Sequence, residues 1–259
     1  MFKKEWLEIR GKLIWSLVIF SVLAAGIPLL HPLLTSLPFV PLDSGALNQV
    51  PAGMRETLLN EMERMRQDYD FYLWSQWAGK NLTQAGGILA VILGMGVVAG
   101  EYKQKTAFFL LARPVSRARI LGSKFASGIT CLAIVIFAST LVMLFAARLT
   151  GGHFSWGVQI ALAAPPFFGA VLIFALTAFF SSLSPGALPA AVGSLITTAC
   201  SVLSPYFIKS NTLNILYHMA GVRLLEEGIF PVPFALAAAL LAAGFFLLAL
   251  LFFSRREVL

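Results

Sequence analysis

The sequence predicts an all-α membrane protein. It has six transmembrane helices, an N-terminal interfacial helix, an external helical loop between spans 1 and 2, and a cytoplasmic helix between spans 2 and 3. Three observations predict this. The chain has 259 residues, 58% of them hydrophobic and only 12% charged, whereas soluble domains carry roughly 25% charged residues. Its mean hydropathy is +0.83. Its apolar residues fall in runs near the roughly 20 residues that a helix needs to cross a bilayer core of about 30 Å. The formal charge of +7 sits in short blocks beside these runs. Blocks of that kind fix membrane topology, so no nucleic-acid role is expected.

The chain reads as a single transmembrane domain over 1–259, beginning with an interfacial helix over 1–12. Phe2, Trp6, Ile9 and Leu13 recur at helical spacing, with Lys3, Lys4, Glu5, Glu8 and Arg10 between them. That pattern suits an amphipathic helix lying in the inner interface. The rival is a signal peptide with Ala24-Ala25-Gly26 as its cleavage region. Five further spans and the length of the apolar run argue against it.

The expected spans are 13–30, 84–100, 120–147, 158–181, 187–208 and 232–254. The second is short and rich in glycine, and is expected to extend backwards through Trp74 and Trp77 as an aromatic interface anchor. Its small residues suit close helix packing. The fourth carries Pro165-Pro166, which predicts a kink or break. Residues 31–80 form the extracytoplasmic loop. Pro32, Pro38, Pro41 and Pro51 keep its first half extended or turned. Met54, Leu58, Met62 and Met65 then mark one face of a helix. A methionine stripe at helical spacing is read as packing, not as a metal site.

Placing both ends in the cytoplasm puts 12 basic residues and four acids inside, against seven basic residues and eight acids outside. This asymmetry supports six spans in a multi-pass protein of the cell membrane.

No catalytic equipment is visible. Intramembrane enzymes place ionisable groups within their spans, and here the spans are nearly free of charge. His31, His153 and His218 lie far apart, in or near external segments. Cys131 and Cys200 have no CxxC or Cys/His spacing. Ser181, Ser182, Ser184, Ser194, Ser201 and Ser204 have no evident base and are read as helix–helix hydrogen-bonding groups. No GxxxxGK[ST] occurs, so any ATPase driving transport is another chain. The chain is read as not an enzyme, with no metal site and no cofactor of its own, and no substrate-binding residue stands out.

The densest information lies in residues 101–124, EYKQKTAFFLLARPVSRARILGSK. Lys103, Lys105, Arg113, Arg117, Arg119 and Lys124 face one acid, Glu101. A helix-forming run ends at Arg113-Pro114, after which Ser116 can cap a new helix. Such an element, lying across the cytoplasmic mouth of a membrane domain, can dock a soluble partner. The stretch resembles the cytoplasmic loop of ABC-2-type ABC transporter permeases. That family shows a glutamate closing the second span, then Gly-Thr, a leucine pair, a Pro-x-Ser-Arg turn and a lysine opening the third span. The matching residues are Glu101, Thr106, Leu110-Leu111, Arg113-Pro114-Val115-Ser116-Arg117, Ile120-Leu121 and Lys124, with Lys105 standing where glycine is frequent.

The resemblance implies a permease subunit of an ATP-driven transporter, an exporter. It implies a homodimer, or a heterodimer with a second permease, bound to cytoplasmic ABC ATPase subunits that carry the ATP and Mg. The 101–119 coupling loop would hold Phe109, Leu110 and Leu111 in a partner groove or the membrane interface, with Arg113 and Arg117 facing acids on the ATPase. Glu101 is expected to pair with Lys103, Lys105 or a basic residue of the N-terminal helix. The alternative is a non-transporting membrane anchor or regulatory subunit, which needs the same loop but no substrate path.

Overall fold

A computed structural model describes residues 2–36, 51–100 and 116–255, and among them the ordered elements are helical throughout. Five helices are long and apolar enough to cross a membrane: Trp6–Leu33, Arg117–Leu149, Trp156–Leu183, Ala187–Ile208 and Val232–Arg255.

Helix α1, Phe2–Ser36, is a single helix of 35 residues. The expected interfacial helix over 1–12 therefore runs on into the first span without a break. The physical reason is local. Arg10-Gly11-Lys12-Leu13 contains no proline, and one glycine in a helix costs only about 1 kcal/mol. At 1.5 Å per residue α1 is about 50 Å long and outreaches the bilayer core. Pro28 and Pro32 lie inside its far end. Beside them the Tyr72 hydroxyl donates to the Ile27 carbonyl at 2.7 Å.

Helix α2, Ala52–Gln67, follows Pro51. Only part of its expected methionine face is covered. Met54 and Leu58 are exposed, Leu59 is buried in their place, and Met65 packs against the core. Asp68 ends α2 and caps α3, Tyr69–Gln76, by accepting from the Phe71 amide at 3.0 Å.

The second expected span is interrupted twice. A π-helix, Trp77–Leu82, separates α3 from α4, Thr83–Gly94. The Asn81 amide donates to the Gln76 carbonyl at 2.6 Å, and the Thr83 hydroxyl to the Ala78 carbonyl at 2.7 Å. Irregular backbone follows at Met95–Val98. Trp77 is not an interface anchor. It is 2% exposed and donates to the Thr140 hydroxyl at 2.9 Å, while Trp74 donates to the Ala220 carbonyl at 2.7 Å.

Ser116 caps α5, Arg117–Leu149, as its position after Pro114 predicts. Helices α6, Trp156–Ala161, and α7, Ala164–Leu183, share one apolar stretch that breaks before Pro165-Pro166, and the proline pair sits in the first turn of α7. Proline fits there because its missing N–H would have no partner in the helix. Helix α8, Ala187–Ile208, ends on Lys209 in the left-handed region at φ 54°. Two short helices, α9 (Ile215–Ala220) and α10 (Val222–Glu227), lead to α11, Val232–Arg255.

Helix α7 is the most enclosed of the long helices. It packs along α11, α4 and α8, while α1 packs along α5. Small residues set these approaches. Gly94 faces α7 so closely that a Cβ would stand 2.7 Å from the Thr177 Cβ and 2.9 Å from the Phe174 carbonyl oxygen. Gly169 takes the side chain of Met219, which is fully buried, and so seats α9 against α7.

Gly94→Ala should therefore destabilise the bundle by about 1–3 kcal/mol, the usual range for overpacking. Gly96→Ala should be close to neutral, since a Cβ there meets nothing within 4 Å. Thermal unfolding of the two variants in one detergent checks this. Equal melting temperatures would remove the argument for a tight α4–α7 contact.

Candidate functional site

Of the site residues named from sequence, those that are described lie at or near one end of the bundle, here called the basic end. Glu101, Thr106, Phe109, Leu110, Leu111, Arg113 and Pro114, together with the expected coupling helix, lie outside the described residues. Ser116, Arg117 and Lys124 are described, as are both flanks of the segment.

The upstream flank is the irregular stretch Met95–Val98. Its backbone is completed from α7 by Ser181, which is fully buried. The Ser181 Oγ accepts from the amides of Val98 at 3.1 Å and Ala99 at 2.9 Å, and donates to the Met95 carbonyl at 2.9 Å. Its one proton and two lone pairs are thereby all engaged.

The downstream flank is the first turn of α5. Ser116 accepts from the Arg119 amide at 3.3 Å. Arg117 reaches across to the end of α11, where Nη1 donates to the carbonyls of Phe253 and Ser254. Its guanidinium carbon also lies 5.6 Å from the Phe253 ring centroid. A cation is favourable at a helix C-terminus, where carbonyls lack partners. The sequence reading gave Arg117 to an ATPase surface. In the structure, its guanidinium also fastens α5 to α11.

Lys124, seven residues after Arg117 in α5, is only 8% exposed. Lys12 of α1 lies within electrostatic reach of it, and the Lys12 Nζ approaches the Ile92 carbonyl at 3.5 Å. Segments from α1, α4, α5, α7 and α11 thus gather around the two ends of the 101–115 segment. Sequence reasoning missed Ser181 as an individual. It was one of several serines of the same local character, and nothing nearby in sequence marks the break that it fills.

At the opposite end, Arg64 of α2 pairs with Glu226 of α10 at 3.3 Å and lies 4.1 Å from the Phe71 ring centroid. The Glu227 carboxylate bonds Arg223 and raises the pKa of its guanidinium. A cleft of about 560 Å³ lies between α1, the α2–α3 junction and residues 150–153, lined by His31, Arg66, Asp68, Tyr69 and His153 among others. Among the described residues no group of three or more His, Cys, Asp or Glu could hold a metal ion.

The family model described as ABC-2 family transporter protein matches residues 1–218, which takes in α1 through α8 and the whole 101–124 segment. The chain belongs to the ABC-2 transporter family. Within that family it is a multi-pass membrane protein of the kind that forms a transport component, consistent with a permease. It is also similar to the uncharacterized protein YhcI of Bacillus subtilis (strain 168), at 32% identity over 99 residues, 35% of this chain and 32% of that protein. The match thus spans about a third of that relative. No solved structure matches the chain.

The α5–α11 fastening makes a measurable claim for this ABC-2 family chain. Arg117→Ala should loosen the last turn of α11, with amide exchange there rising several-fold, as expected for losing hydrogen bonds of about 1 kcal/mol each. Arg117→Lys keeps the charge but not the fork, and should fall between. Exchange measured over residues 248–255 checks this, and unchanged exchange in Arg117→Ala would show that the contact is not stabilising.

Proposed function

We propose that this chain is the membrane-spanning permease subunit of an ATP-driven ABC transporter, an exporter, coupled through residues 101–119 to a separate cytoplasmic ATPase subunit. The observation that carries this reading is the family match over 1–218, because it includes the entire basic segment on which the sequence resemblance rests. The interrupted helix 69–100 serves as the sixth span, its breaks tolerated because they are buried in protein. The basic end is then cytoplasmic, and α2, α9 and α10 lie outside.

The physical logic is direct. Phe108, Phe109, Leu110 and Leu111 form a run too apolar to face water on every side, and a groove on the partner accepts some of them. Arg113, with Arg117 beside it, meets acids on the ATPase. Nucleotide-driven closure of the partner displaces the segment, and its two flanks carry that displacement into α4 and α5.

Helices α1, α8 and α11 leave most of their apolar surface uncovered. Part of it meets lipid and part a second permease, identical or homologous. Along the π-helix and α4 the exposed positions Lys80, Gln84, Ile88 and Ile92 follow at four-residue spacing. An exposed glutamine amide suits a path between two subunits better than it suits hydrocarbon.

The test is purification of the tagged chain from its native membranes in mild detergent, followed by mass spectrometry and an ATPase assay. A stoichiometric P-loop ATPase should accompany the wild type, and should be lost from Arg113→Glu and from Leu110→Asp while both variants remain in the membrane. A chain that purifies without any ATPase and without ATP hydrolysis would leave the anchoring or regulatory role as the better account.

A further inference from the structure

The turn at Met95–Val98 lies immediately before Glu101, and its construction is unusual. In an unbroken α-helix the Val98 amide would donate to the Gly94 carbonyl and the Ala99 amide to the Met95 carbonyl. Here the Val97 amide takes the Gly94 carbonyl, at 3.1 Å, and the ladder resumes with the Gly100 amide on the Gly96 carbonyl, at 3.2 Å. Between them, the hydroxyl of Ser181 stands in for the missing bond. It receives both displaced amides and returns a proton to Met95. A side chain inserted into the helical ladder is one of the few causes of a sharp local bend.

The insertion lies next to a close approach of the two helices. Upstream, Gly94 faces Thr177 and the Phe174 carbonyl of α7 with no space for a side chain. Within the turn, a Cβ on Gly96 would meet nothing within 4 Å among the described residues, while Val97, Val98 and Ala99 are buried. A tight interhelical contact and a broken turn mended from another helix thus follow each other within a few residues. The hydroxyl in that turn belongs to the most enclosed helix of the bundle. Two buried hydroxyls of α5 donate otherwise. Ser139 donates to Val135 and Thr140 to Ile136, each within its own helix. Ser181 instead serves the backbone of another helix at the point where that backbone is broken.

We infer that Ser181 is a positioning residue for coupling: its hydroxyl is the pin about which the chain entering the 101–115 segment turns against α7. This rests on the permease reading above, since a pin has work only if a partner moves the segment. Movement of the bound ATPase rotates the 99–100 stretch, and the three hydrogen bonds of Ser181 convey that rotation to α7. Losing the hydroxyl leaves two buried amides and one carbonyl without partners, and frees the turn.

The experiment is hydrogen–deuterium exchange over residues 95–100 in the complex of this chain with its co-purified ATPase, in lipid nanodiscs. It is run without nucleotide and with ATP plus vanadate, on the wild type, Ser181→Ala, Ser181→Thr and the control Ser139→Ala. In the wild type, ATP plus vanadate should change exchange over 95–100. In Ser181→Ala, exchange should be roughly tenfold faster without nucleotide, as expected for unpairing buried amides, and should no longer respond to ATP plus vanadate, although the ATPase stays bound. Ser181→Thr keeps the hydroxyl and should restore the response, and Ser139→Ala should retain it. A wild-type complex that hydrolyses ATP with no change over 95–100 would overturn the inference, as would a Ser181→Ala complex that responds like the wild type. Absence of any ATPase from the wild-type preparation is a different result, which removes the permease reading and the pin with it.

Discussion

Every backbone N–H and C=O placed in hydrocarbon must find its partner within the protein, because lipid offers none. This constraint organises the molecule. Long stretches obey it with uninterrupted helix, as in α1, α5 and α11. The second span expected from the sequence obeys it differently. It breaks at the π-helix and again at Met95–Val98, and at each break a side chain supplies what the ladder lacks. Asn81 and Thr83 do so from within the π-helix and its exit, and Ser181 does so from α7. The irregular stretch packs against the central helix, which supplies one of these side chains.

The basic end follows the same logic with charge added. The carbonyls at the end of α11 would have only solvent or headgroups for company, and Arg117 from the start of α5 takes two of them. The stretch before Gly100 is thus tied to α7 and the start of α5 to α11, two helices that also pack along each other. Under the proposed coupling, a force applied to the 101–115 segment meets one packed pair instead of two independent helices.

Much of the fold was legible in the sequence because hydropathy and length decide it. Span 187–208 coincides with α8, Ala187–Ile208, and 232–254 falls within α11, Val232–Arg255. Ser116 was legible as a cap because capping is local. What escaped was non-local. The continuity of α1 through Lys12 depends on the absence of anything strong enough to stop a helix, which a change from amphipathic to apolar pattern does not reveal. Trp77 looked like an interface residue until Thr140, in another span, proved to be its partner. Of the site, the segment 101–124 announced itself through charge and motif, but Ser181 could not. Its role depends on a break in a different helix, and a serine in an apolar run carries no sign of what lies opposite it.

The seat of Met219 against Gly169 has a bearing on how this chain can change over generations. The thioether fills the space that any side chain at 169 would need. A mutation that enlarges position 169 is tolerable only in a lineage that has already shortened position 219, and a shortened 219 leaves a void that favours growth at 169. The two positions, one in the central helix and one in a short helix of the loop before the last span, are therefore bound to a common history. Related sequences should sort into a glycine–methionine class and a class with the bulk exchanged, with mixed pairs rare.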